Sequence, residues 1–133
     1  MKSKRMALFV LAGVLVIALL AACSSSSLSG AKPATGGGGK SFNVTTTEFA
    51  FAPNSFTAKP GDKLTFKIIN KGTVEHTFVV QSLDGSTELA KVSVQPGETK
   101  ALEYTPTEAG TYPIVCDIAG HKESGMEGSL VVK

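Results

Sequence analysis

Five turn-forming clusters punctuate the chain between residues 59 and 111: "KPGDK" at 59–63, "NKGT" at 70–73, "LDGS" at 83–86, "QPGET" at 95–99 and "TEAGT" at 107–111. Glycine, proline and Asx residues supply the special backbone angles and side-chain hydrogen bonds that turns require. Between them lie short apolar or alternating runs. "KLTFKIIN" puts Leu64, Phe66 and Ile68 on one face and Thr65 and Lys67 on the other; "HTFVV", "AKVSV", "KALEY" and "SLVVK" read the same way. Strands every ten residues or so, with little helical patterning, specify an all-β domain, an antiparallel β-sandwich or small barrel. Only "DGSTELAK" invites a helical turn. The expected core is Phe42, Val44, Phe49, Phe51, Phe56, Phe66, Phe78, Val80, Leu102, Tyr104 and Leu130.

The first forty residues follow other rules. Lys2, Lys4 and Arg5 precede the apolar run Met6–Ala22, the pattern of a secretory signal. The run is also at the short edge of what spans a bilayer, so an uncleaved membrane anchor is the competing reading. "LAAC" at 20–23 resembles the lipobox of bacterial lipoproteins, which implies acylation of Cys23 as the new N-terminus. The seventeen residues after Cys23, "SSSSLSGAKPATGGGGK", have almost no apolar bulk and should act as a tether spanning roughly 20–25 Å. The expected organisation is therefore a lipoprotein signal at 1–22, a lipidated linker at 23–40 and one domain at 41–133. Such a protein works outside the cytoplasm, held by lipid at the outer face of a bacterial cell membrane or in the periplasm.

Of the thirteen Lys and Arg residues, three lie in the signal, leaving ten against eleven acidic groups. A net charge near −1, with no basic cluster among aromatics, gives no footprint for nucleic acid.

"CDIAGHKESGM" at 116–126 concentrates the chemistry. With Cys23 lipidated, Cys116 is a lone thiol outside the cytoplasm, open to oxidation unless it is buried as a small hydrophobe or ligates a metal. His121 follows five positions later and Met126 five beyond that, each directly after a glycine that can turn the chain sharply. The other histidine, His76, opens "HTFVV" just after a turn, and strand ends in a sandwich can share a pole. Cys with two His could hold zinc, but a thioether is a poor zinc ligand. Thiolate with thioether suits Cu(I), imidazole suits Cu(II), and a trigonal His₂Cys set with a weak axial Met is the arrangement of a blue-copper electron-transfer centre.

"NKGTVEH" at 70–76, "PGET" at 96–99 and "AGTYPIVCDIAGHKESGMEGSLVV" at 109–132 resemble the cupredoxins, the plastocyanin, azurin and auracyanin family. The resemblance covers nearly all of 41–133 and implies a Greek-key β-sandwich of about seven to eight strands. It also implies one type 1 copper per chain, with His76, Cys116, His121 and Met126 as ligands. The ligand loop is longer than in typical plastocyanins, where two residues separate Cys from His. Pro113 interrupts the strand leading to Cys116, so its missing donor should face outward or sit at a bulge. Where many members place Asn or Ser after the first histidine to fasten the ligand loops, this chain has Thr77. The carbonyl of Glu75 is a candidate fifth ligand.

The implied function is that of a membrane-tethered, monomeric one-electron carrier, passing electrons through the His121 edge amid an apolar patch. Ile118, Ala119, Pro53 and Ala50 are candidates for that patch. Its partners would be redox proteins: a membrane oxidoreductase complex, a cytochrome, or a terminal oxidase or reductase. The alternative is an extracytoplasmic copper-trafficking protein. An independent copper enzyme would need a second metal centre, and two histidines in all leave none to spare.

Overall fold

The structure is a computed structural model and describes residues 39–133. The signal, the Cys23 lipidation site and nearly all of the linker expected from the sequence lie outside the described residues.

Nine strands are present among the described residues: β1 (Lys40–Thr47), β2 (Ala50–Ala52), β3 (Ser55–Ala58), β4 (Leu64–Asn70), β5 (His76–Gln81), β6 (Glu88–Val94), β7 (Thr99–Tyr104), β8 (Gly110–Val115) and β9 (Glu127–Val132). They form two sheets, ordered β2-β1-β4-β7 and β3-β9-β8-β5-β6. The count exceeds seven to eight because the chain changes sheets at Pro53 and Asn54, splitting one edge into β2 and β3. No helical turn forms in "DGSTELAK". Asp84 instead caps a tight turn, accepting from the Ser86 N–H and hydroxyl, and Glu88 onward joins the sheet.

The sandwich is mixed rather than purely antiparallel. β1 runs parallel to β4, and β3 parallel to β9. Alternation reports which face a residue takes, and that is blind to strand direction. Between the sheets, Phe51, Phe56, Phe66 and Phe78 meet mainly edge to face, with centroids 5.1–6.2 Å apart. Val44, Val80 and Leu130 are buried as expected, while Phe42, Leu102 and Tyr104 are partly buried against the same core. Phe49 is not in it. It sits at the β1–β2 turn with φ 74° and remains 39% exposed.

Pro113 fits its sheet because of where its nitrogen points. Its register partner, Ser129, donates its N–H to Asn54 on the β3 side. The pair is therefore not hydrogen-bonded across β8 and β9, and the Pro113 nitrogen faces β5, whose pairing with β8 stops at Ile114.

Candidate metal centre

The adjacency of β5 and β8 creates the site. Val79 pairs with Val115 in antiparallel register, so the start of β5 and the residues just after β8 lie at one end of the sandwich. His76 opens β5 and Cys116 follows β8 directly.

The loop from 117 to 126 closes on itself through backbone hydrogen bonds. His121 N–H donates to Ile118 (3.0 Å), Gly125 N–H to Lys122 (2.8 Å) and Met126 N–H to His121 (3.1 Å). The Cys116 N–H donates to the Met126 carbonyl at 3.2 Å, tying the two loop ends together. Gly120 and Gly125 take φ of 84° and 97°, the left-handed turns that let the next residue point inward. His121 and Met126 are both buried as a result.

One donor atom each from His76, Cys116 and His121 lies within 4.8 Å of the others. Cys116 Sγ is 3.4 Å from His121 Nδ1, and the two imidazole centroids are 5.2 Å apart. Both ring nitrogens of His76 are buried without a hydrogen-bond partner among the described residues. Such groups are costly in a folded protein unless something else pairs them. Burial, then the neighbouring His121, pushes the His76 imidazole below its ordinary pKa, so it is held neutral and able to ligate. Two imidazoles, a thiol and a nearby buried thioether make a soft, enclosed set that fits a type 1 copper ion.

The structure brings His76, Cys116 and His121 together at this pole, with Met126 buried at the end of the same loop, and it adds supports around them. Thr77 does fasten the ligand loops. Its N–H donates to Cys116 Sγ (3.4 Å), its hydroxyl donates to Asp117 Oδ1 (2.7 Å), and Asp117 N–H donates back to that hydroxyl (3.0 Å). Lys91, on β6, grips the other Asp117 oxygen at 2.6 Å. Burial pushes the Asp117 carboxyl up, but the hydrogen bonds from Lys91 and Thr77 outweigh it and hold the group below its ordinary value.

The loop ahead of His76 is pinned from two sides. The buried Asn70 side chain donates to the carbonyls of Val74 (2.8 Å) and Val94 (2.9 Å) and accepts from Gly72 N–H (2.8 Å). Glu48 accepts from the Thr73 N–H and hydroxyl, which holds its carboxyl down at about 2. A Cβ on Gly72 would lie 2.9 Å from Glu48 Oε1 and 3.0 Å from His76 Nε2, so this loop packs directly on the imidazole. The asparagine in "NKGT" was the available signal for this pinning; Glu48 and Lys91 carried none.

Beside His121 lie apolar residues: Phe49 meets the imidazole edge to face at 4.9 Å, and on the ligand loop Ala119 is exposed and Ile118 half-buried. Of the residues expected in this patch, Ile118 and Ala119 lie on the ligand loop itself and Ala50 and Pro53 are exposed, while Phe49 is an addition from the β1–β2 turn.

Comparison with known proteins agrees with this geometry. The family model described as a cupredoxin-like domain matches residues 13–132. A plastocyanin from Mercurialis perennis is 34% identical over 94 residues, covering 64% of this chain and 89% of the relative. A copper-resistant cuproprotein from Rubrivivax gelatinosus is 29% identical over 98 residues, covering 62% and 59% respectively. The crystal structure of a dithionite-reduced auracyanin from Roseiflexus castenholzii superposes with a TM-score of 0.65 at 20% identity. That match covers 73% of this chain and 99% of the auracyanin.

Proposed function

The chain belongs to the cupredoxin-like family, and from that premise we propose that it is a one-electron carrier built around a single type 1 copper. His76, Cys116 and His121 would hold the ion, with Met126 as a weaker fourth ligand. The observation that carries this reading is the convergence of the His76, Cys116 and His121 donors in a buried site where both His76 ring nitrogens lack any other partner among the described residues. Copper bound there supplies reversible one-electron chemistry between Cu(I) and Cu(II).

The protein's own contribution is rigidity and access. Buried ligands on hydrogen-bonded loops move little between oxidation states, so little reorganisation opposes electron transfer. Phe49, in edge contact with the His121 ring, and Ala119 on the ligand loop would offer an apolar face for a redox partner. Partners are a membrane oxidoreductase complex, a cytochrome, or a terminal oxidase or reductase. The "LAAC" pattern at 20–23 supports a lipid tether on Cys23 and work outside the cytoplasm. The chain acts as a carrier and transforms no substrate of its own.

The test is direct. The full chain loaded with Cu(II) should develop an intense visible thiolate-to-copper charge-transfer band, and Cys116→Ser should abolish it. Preference for zinc without colour would sink the proposal.

A second reading, copper handling, draws on the similarity to a copper-resistant cuproprotein. Full burial of His76, Cys116 and Met126 favours retention of the ion over its transfer. Rapid loss of copper to a weak chelator would reverse that preference.

A further inference from the structure

The Thr77 hydroxyl has one proton and two acceptors within reach. Cys116 Sγ lies 3.4 Å away, and Asp117 Oδ1 lies at 2.7 Å. A hydroxyl-to-carboxylate bond near 2.7 Å is charge-assisted and about twice as strong as a neutral one. The carboxylate is also fixed in place, because Lys91 holds Oδ2 and the Asp117 N–H points back at the hydroxyl oxygen. The proton therefore sits towards Asp117, and with His121 Nδ1 given to the metal the sulfur keeps the backbone N–H of Thr77 as its donor among the described residues.

We infer that Asp117 is a positioning residue that withholds the Thr77 hydroxyl proton from the Cys116 sulfur and so sets the reduction potential of the site. The inference rests on the copper reading above. A hydrogen bond to a ligating sulfur draws electron density away from the metal, which favours Cu(I) and raises the potential. It also lowers the filled sulfur orbitals, so the charge-transfer band moves to shorter wavelength. Keeping the second donor away holds the potential down.

Asp117→Ala in the copper-loaded full chain should release the hydroxyl to the sulfur. Removing a carboxylate charge also raises the potential, so the comparison is a cycle with Thr77→Val. In the native background, Asp117→Ala should favour Cu(I) by about tenfold beyond the charge effect, which is about 59 mV for one electron. It should also move the band to shorter wavelength. In the Thr77→Val background only the charge effect should remain, and that part should shrink as salt is added, because Asp117 is exposed. Equal shifts in both backgrounds would overturn the inference.

A second measurement does not depend on Asp117→Ala folding. The shift of the copper–sulfur stretch on transfer to D₂O should persist in Thr77→Val, because the backbone N–H carries it. Loss of that shift would place the hydroxyl proton on sulfur and overturn the assignment. Failure of the unmutated chain to colour at all would sink the copper reading, and this inference with it.

Discussion

Gly128→Ala is the perturbation whose cost the structure defines most sharply. A Cβ at residue 128 would lie 2.5 Å from the Asn54 carbonyl oxygen, 3.3 Å from its carbon and 3.4 Å from the Asn54 Cα. All three are backbone atoms, so no side-chain rotation relieves the clash. The same carbonyl accepts the Ser129 N–H at 2.8 Å, and moving it back by roughly 0.5–1 Å takes that bond beyond useful length. Overpacking costs about 1–3 kcal/mol and the lost hydrogen bond about 1 kcal/mol. The sum is about 2–4 kcal/mol. For a domain of this size each kcal/mol lowers Tm by about 4–8 °C, so the thermal midpoint of the metal-free protein should fall by about 8–32 °C. The paired substitution is Gly120, where none of the described residues lies within 4 Å of a Cβ and the obstacle is a φ of 84°. Asparagine tolerates that conformation, so Gly120→Asn should cost little while Gly128→Asn should cost at least as much as Gly128→Ala. A Gly128→Ala cost below about 0.5 kcal/mol, the range of ordinary surface changes, would refute the steric reasoning.

Other outcomes follow from the same structure. Because burial lowers the His76 pKa in the folded state, the unfolded chain takes up that proton first as pH falls. The metal-free protein should thus hold its full stability above about 6.5 and lose part of it below, seen as a falling denaturation midpoint. Met126→Leu conserves volume and should cost less than about 1.5 kcal/mol. It should keep the visible band while moving the potential read by voltammetry. Phe49→Gly removes a left-handed strain of about 1–2 kcal/mol and a ring contact of about 0.5–1.5 kcal/mol. Denaturant unfolding should therefore barely change, while stopped-flow electron exchange with a redox partner should. Tyr112→Phe deletes the hydroxyl that donates to the Glu108 carbonyl at 3.0 Å, and chemical denaturation should show a loss of about 1 kcal/mol.

Phe49 and Lys91 mark the limit of what the sequence made legible. "TTTEFAFA" alternates well enough to put Phe49 and Phe51 on one face, and Phe51 is indeed buried. The β1–β2 turn breaks that alternation: Phe49 N–H donates to Thr47, φ turns positive, and the ring swings out onto His121. Lys91 reads as one more solvated cation on an alternating strand. It reaches Asp117 only because β6 pairs with β5, which places it across from a loop 26 residues away in sequence.

The short-range properties were legible along the chain alone. Turn chemistry limits element length, two-residue alternation separates buried from exposed faces, and the loop from Cys116 to Met126 carries three soft donors within eleven residues. These depend on neighbours along the chain and survive without any knowledge of contacts. The tertiary structure decided the rest: the parallel pairings of β1 with β4 and β3 with β9, the arrival of His76 from forty residues upstream, and the allocation of the Thr77 proton. Those depend on which strands lie side by side, and pairing between distant segments is selected by the packing of the whole core, which no local pattern encodes.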